Sequence, residues 1–205
     1  MGKLDDGGWD ICDDLAYRPG KNCLVYSFGI NFDFSFDDAI VKKYGCEVHS
    51  FDPSMRRPDH KHGKNVMFHA SGLSKDNQSS RGKLWKMRTL KQFLGELGHL
   101  NRTIDVLKID IEEWEWLALP EMIKSGVMSQ VRQFDVELHI TLKTEPNKNK
   151  YFLGLSILKD LYDIGFRIFW THRNLYCKFN SRVGSVARSG CHEVSFINVN
   201  FKPKS

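Results

Sequence analysis

No stretch of this 205-residue sequence holds about eighteen consecutive apolar residues, which excludes a membrane-spanning helix within it. Its first residues lack the apolar segment of a secretory leader. Cysteine is scarce and irregularly spaced: Cys12, Cys23, Cys46, Cys177 and Cys191 include no CxxC pair, so a zinc finger or ribbon has no ligand set. An odd count leaves at least one thiol free. The spacing would let Cys12 meet Cys23, and Cys177 meet Cys191, in an oxidising compartment; buried reduced thiols are the equal alternative. No repeat, low-complexity tract, RNP motif or interleaved aromatic series is present, so the marks of a dedicated nucleic-acid binder are missing. If Met1 is the native start, the expected compartment is the cytoplasm. If the segment is cut from a longer precursor, it is the secretory pathway or the extracellular space, and only then do the glycosylation triplets Asn77-Gln78-Ser79 and Asn101-Arg102-Thr103 matter.

What is present suffices for one compact unit. With 41% hydrophobic and 12% aromatic residues the chain can bury a sizeable core, on the order of 70% of its unfolded surface. We expect a single domain over 1–205, with 1–22 as an N-terminal extension. A formal charge of +5 makes the surface mildly basic. Its densest basic piece, Met55 to Lys64, carries Arg56, Arg57, His60, Lys61 and His62 and is expected as a solvated loop. A second, Ser80 to Arg88, sets Trp85 among Arg81, Lys83, Lys86 and Arg88 and is placed to cover a site as a lid.

The most informative stretch is VLKIDIEEWEWLALP, Val106 to Pro120, where acids follow directly on an apolar, β-branched run. In open α/β sheets the ligand crevice lies outside the carboxyl ends of the strands, so Asp110, Glu112 and Glu115 are expected on its lip. The same acids would also suit the solvated first turn of a helix, stabilising its N-terminal dipole. Upstream, Cys23 to Gly45 reads as a strand, a turn at Gly29 and an amphipathic helix through Phe36, Ala39, Ile40 and Tyr44. A second strand, Cys46 to Phe51, closes at Asp52 and Pro53. An acid at that strand tip, about twenty residues past a glycine turn, is the pattern of a nucleoside site in which a carboxylate accepts ribose hydroxyls. Glycine is sparse here: SFGIN keeps one where a dinucleotide fingerprint has three. Asp33, Asp37 and Asp38 also place negative charge where a diphosphate would sit. NAD and ATP are thereby disfavoured, and a cationic ligand such as S-adenosylmethionine is suited.

The rest of the chain continues the alternation. Val66 to Ala70 reads as strand three, Leu90 to Leu97 as a helix, Ile104 to Ile109 as strand four and Val131 to Leu138 as strand five. Leu153 to Ile164 reads as a helix, and Phe166 to Trp170 with Glu193 to Val199 as a closing pair. The polar run Lys143 to Lys150 is expected as a mobile loop.

Taken in order, VYSFGI (Val25 to Ile30), GCEVHSFDPS (Gly45 to Ser54), LKIDIEEWEW (Leu107 to Trp116) and VELH (Val136 to His139) resemble the methyltransferase-like protein twenty-four family. The similarity extends from GGWDIC at Gly7 to EVSFIN ending at Asn198, and the KIDIE segment is also similar to FkbM-type methyltransferases. The resemblance implies an α/β, Rossmann-like class I methyltransferase fold: a mostly parallel seven-stranded sheet with an antiparallel terminal strand. It implies S-adenosylmethionine as cofactor. Expected contacts are Ser27, Phe28, Gly29 and Asn31 after the first strand, Asp52 and Pro53 after the second, Ser71, Gly72 and Leu73 near the adenine, and Asp110. The chain departs from the family pattern at Glu113, where glycine is usual, a difference that bears on substrate specificity rather than fold.

Methyl transfer needs an aligned nucleophile and a group to take its proton. The topology gathers Asp110, Glu112, Glu137, His139 and His172 at strand ends, and the catalytic candidates are Asp110, Glu112, His139 and His172. His139 is the first choice as general base, with a structural hydrogen-bond network as its alternative role. A sharper variant makes Asp110 and His139, with Glu137 or His172, a divalent metal site. The expected acceptor is a small molecule, oxygen ahead of nitrogen or sulfur; no NPPY-type segment follows strand four, against nucleobase amino groups. The alternatives are a catalytically silent S-adenosylmethionine-binding protein and an RNA or glycan methyltransferase.

Overall fold

The computed structural model describes residues 1–3, 8–77, 85–141 and 145–201. Its elements run β1 (Leu24–Phe28), α1 (Ser35–Tyr44), β2 (Glu47–Phe51), β3 (His60–Lys61), β4 (Val66–His69), β5 (Gly72–Leu73) and β6 (Met87–Arg88). They continue α2 (Leu90–Glu96), β7 (Ile104–Ile109), α3 (Glu115–Lys124), β8 (Val131–His139), α4 (Lys148–Asp163), β9 (Phe166–Asn180) and β10 (Ala187–Asn198). β1, β7 and β8 are buried at every position, as central strands covered on both faces must be. The main sheet has the order β3-β4-β2-β1-β7-β8-β10-β9. From β4 to β8 its strands are parallel; β10 lies antiparallel to both β8 and β9.

Strand parity divides the core. Tyr26, Phe28, Leu107, Ile109 and Phe134 pack beneath Leu90 and Phe93 of α2, Leu119 of α3 and Ile157 of α4. Val25, Val48 and Val106 face the other way, under Phe36 and Ile40 of α1 and Trp9 of the N-terminal segment. That segment is fixed to the sheet: the Cys12 amide donates to Gln133 Oε1 at 2.8 Å, and Gln133 Nε2 donates to Tyr17 O at 2.9 Å.

Several expectations need correction. The sheet has eight strands rather than seven, because His60–Lys61, within the basic segment expected as a loop, pairs antiparallel with Met67 and Phe68. α4 begins at Lys148 rather than Leu153, because the Asn147 side chain accepts the Lys150 amide and caps it. The polar run expected as a loop therefore ends in helix, and its residues 143 and 144 lie outside the described ones. The closing hairpin is longer than expected because most of β9 is exposed, which leaves little apolar signal along it. Cys23 is bridged to Cys46, not to Cys12, which is free. Parallel pairing of Leu24 with Glu47 sets the two residues just before them side by side. Cys177 is bridged to Cys191.

Polar side chains cross the α1 face of the sheet: Ser50, Ser27, Lys108 and Asp135 stand opposite one another on β2, β1, β7 and β8. Burial pushes the Asp135 carboxyl up to about 8, against the neighbouring Ser195 hydroxyl. An unfolded aspartate releases its proton near pH 4, so the native state binds more protons than the unfolded chain between there and about 8. Stability therefore falls as pH rises through that window. Asp135→Asn is expected to flatten the profile, with a gain in melting temperature that grows from acidic to mildly basic pH. Thermal melts across that range measure it, and an equal or declining gain would contradict the assignment.

Candidate active site

A cavity of about 560 Å³ opens at the carboxyl ends of β1, β2 and β7, where the strand order places a crevice. Phe28, Gly29 and Asn31 line it after β1, Phe51 to Ser54 after β2, and Asp110 to Trp114 after β7. Gly72, Leu73, Trp85 and Met87 close one wall. This wall exists because β5 and β6 pair, setting Gly72 beside Met87. Four carboxylates, Asp52, Asp110, Glu112 and Glu113, line the cavity, and among the described residues no lysine or arginine does.

The loops around it are tightly specified. Gly29 has φ +82°, and a Cβ there would stand 1.6 Å from the Asp110 carbonyl oxygen, so no side chain fits. The glycine thus serves the approach of two strand ends to each other, and Lys108 Nζ donates to its carbonyl at 2.8 Å. Asp52 Oδ2 accepts the amides of Ile30 and Asn31 at 3.1 and 2.8 Å. Its Oδ1 accepts the amide and hydroxyl of Ser54 at 2.7 and 2.6 Å. One carboxylate therefore ties the loop after β1 to the loop after β2.

Two pairs of consecutive left-handed residues flank the crevice: Asn31 and Phe32 at φ 44° and 65°, Glu112 and Glu113 at 53° and 72°. Such backbone costs roughly 1–2 kcal/mol per non-glycine residue. Glu113, expected from the resemblance as a departure from glycine, holds this left-handed backbone with its carboxylate paired with Lys150 of α4. Glu113→Gly is expected to relieve the strain and lose the ion pair, for a net gain of about 0.5–1 kcal/mol. Urea denaturation measures it, and a net loss would show that the pair outweighs the strain.

Of the expected cofactor contacts, Phe28, Gly29, Asn31, Asp52, Pro53, Gly72, Leu73 and Asp110 line the cavity. Ser27 does not: it alternates with Phe28 and is buried on the α1 face of the sheet. Ser71 does not either, being buried with its amide donated to His69 O at 2.8 Å. Glu112 lines the wall, whereas Glu115 is wholly buried rather than on the lip or in a solvated helical turn. His172 stands apart on β9, its ring half exposed and paired with Glu193 at 3.3 Å. Sequence reasoning missed Phe51, Met87, Ile111 and Trp114 as wall residues. Trp85, from the expected lid, lies 6.1 Å from Trp114 between ring centres, and residues 80–84 of that segment lie outside the described ones.

Behind Asp110 sits a buried acid–histidine cluster. Glu115 Oε1 accepts both the His139 amide, at 2.8 Å, and its Nδ1, at 3.2 Å. His139 Nε2 then faces Asp110 Oδ1 at 3.8 Å and Glu137 Oε2 at 3.6 Å. Glu137 Oε1 accepts from Asn174 Nδ2 at 2.9 Å. Burial works against a charged imidazole, but the Glu115 hydrogen bond and the surrounding carboxylates outweigh it and raise His139 well above its ordinary value. Burial, then the charge of Asp110, raises Glu137. The ring is thus protonated at neutral pH and does not itself line the cavity, which stands against the first-choice role of general base.

Residues 1–198 match a family described as a methyltransferase domain. Probable methyltransferase-like protein 24 of Homo sapiens is 28% identical over 215 residues, covering 95% of this chain and 56% of the relative. Its Rattus norvegicus counterpart is 29% identical over 217 residues, covering 95% and 57%. The chain spans about half the length of these curated relatives. A solved 16S rRNA adenine N1-methyltransferase from Catenulisporales acidiphilia aligns over 93% of this chain and 90% of its own at 12% identity. Its TM-score of 0.42 is too low to bear on function.

Proposed function

This chain belongs to that methyltransferase-domain family, and we propose that it moves a methyl group from S-adenosylmethionine to an oxygen of a small-molecule acceptor. One observation carries the reading: a cavity at the sheet's carboxyl edge is lined by four carboxylates and apolar rings, with no lysine or arginine among its described lining residues. That lining repels a diphosphate and suits a nucleoside bearing positive charge. The same lining offers a phosphate backbone nothing to pair with, which favours a small acceptor over RNA.

The residues present fit the cofactor. Phe28, Phe51, Leu73 and Met87 supply apolar surface for a base, and Asp52 stands where ribose hydroxyls would reach it. Its four acceptor positions are filled, so a ribose hydroxyl would exchange with the Ser54 hydroxyl. When bound, the cofactor supplies a methyl on a positively charged sulfur, whose bonding electrons stay with sulfur as the methyl leaves. Asp110, on the cavity wall with its carboxylate near the His139 imidazolium, is the group placed to take the proton of an acceptor hydroxyl. His139 is a positioning residue, and Glu115 fixes its orientation from behind.

Two disulfides support an oxidising compartment, the secretory pathway or beyond. Exposure of Asn101, the first residue of a glycosylation triplet, agrees with that. The test is release of S-adenosylhomocysteine from S-adenosylmethionine across hydroxyl, amine, thiol, glycan and RNA acceptors. Turnover confined to hydroxyl compounds is expected. Turnover with RNA alone, or none with any class despite tight cofactor binding, would contradict the proposal.

A further inference from the structure

We propose that Asp110, Glu137 and His139 form a divalent cation site at the inner wall of the cavity. This rests on the methyltransferase reading for its purpose but not for its geometry. One ligand atom from each residue lies within 4.8 Å of the other two. The gaps from His139 Nε2, 3.8 Å to Asp110 and 3.6 Å to Glu137, are too long for hydrogen bonds. They are the spacing of groups that converge on a common point. Glu137 and His139 sit two residues apart on β8 and so share a face of the sheet, and Asp110 directly follows the adjacent β7.

Two further observations point to an ion. First, Glu115 accepts the Nδ1 hydrogen of His139, which turns Nε2 toward the two carboxylates; a carboxylate behind a histidine in this way is the usual support of a metal-ligating imidazole. Asn174 holds the outer oxygen of Glu137 in the same manner. Second, three carboxylates surround one imidazole, and Glu115, Glu137 and His139 are all nearly or wholly buried. A divalent cation would take the place of the protons that His139 Nε2 and Glu137 hold without it, both released on binding.

A second acid–histidine group, Glu47, His49 and His99, shows what a structural cluster looks like here. Its rings are already engaged: His49 with His69 and Glu47, His99 with Tyr26 at 2.9 Å. It also carries Arg102 on Glu47, a cation already in place.

Two carboxylate oxygens and one imidazole nitrogen suit a hard to borderline ion of the manganese or magnesium class. Because Asp110 lines the cavity, an ion held there borders the space for the acceptor. It would bind the acceptor hydroxyl and lower its pKa. Asp110 would give one oxygen to the ion, leaving the other for the proton.

The test is a Mn²⁺ titration of the whole chain followed by electron paramagnetic resonance, with S-adenosylhomocysteine calorimetry alongside. About one Mn²⁺ per chain is expected, with affinity at least about tenfold weaker in Glu137→Gln and in Asp110→Asn. Asp110 is partly exposed, so that variant is readable even if Glu137→Gln fails to fold. No Mn²⁺ binding by the intact protein, or undiminished binding by Asp110→Asn, overturns the site. Loss of S-adenosylhomocysteine binding by the intact protein would instead overturn the methyltransferase reading.

Discussion

Gly29→Ala is expected to destabilise the protein by at least about 3 kcal/mol. Left-handed backbone at φ +82° accounts for only part of this, roughly 1–2 kcal/mol. The rest comes from a Cβ placed 1.6 Å from the Asp110 carbonyl oxygen, which must push apart the ends of β1 and β7. That movement would also pull Asp110 away from the cluster and Gly29 O away from Lys108. Gly45→Ala is the control: its φ of +73° is similar, yet nothing lies within 4 Å of its added Cβ. Urea denaturation should show the Gly45 variant losing only the backbone share, about 1–2 kcal/mol. Equal losses would mean that chain direction alone, and not the close approach of two strands, demands glycine at 29.

Asp110→Asn is expected to lower turnover by about 10²–10³-fold while leaving S-adenosylhomocysteine affinity within about threefold. The substitution keeps the shape of the side chain and leaves the Asp110 amide bonded to Phe28 O at 3.0 Å. What it removes is the charge beside the His139 imidazolium and the oxygen that would take a proton from the acceptor. Steady-state rates and calorimetry on the same preparation separate the two roles. Equal loss of both would make Asp110 a cofactor contact, and loss of neither would move the chemistry elsewhere.

The central strands were readable because burial on both faces writes an unbroken apolar run: Ile104 to Ile109 was expected and found residue for residue. α2 was readable from its apolar spacing, and Thr89 with Gln92 supplies the capping box that starts it. Other features depended on register, which no local pattern carries. Cys23 meets Cys46 because two parallel strands start together, and His172 misses the site because β9 lies two strands from β8. Parity was an available signal, since Ser27 and Phe28 cannot both face one side of a strand. Glu115 is the harder case. An acid in the first turn of a helix is ordinarily solvated, and only the approach of His139 from the adjoining strand explains its burial.

The most direct test of the account is calorimetric titration of the intact protein with S-adenosylhomocysteine, with NAD⁺ run in parallel. A carboxylate-lined nucleoside cavity predicts micromolar binding of the first and none of the second. Binding of NAD⁺ alone, or of neither, would contradict the assignment of this cavity to a methyl-donor cofactor.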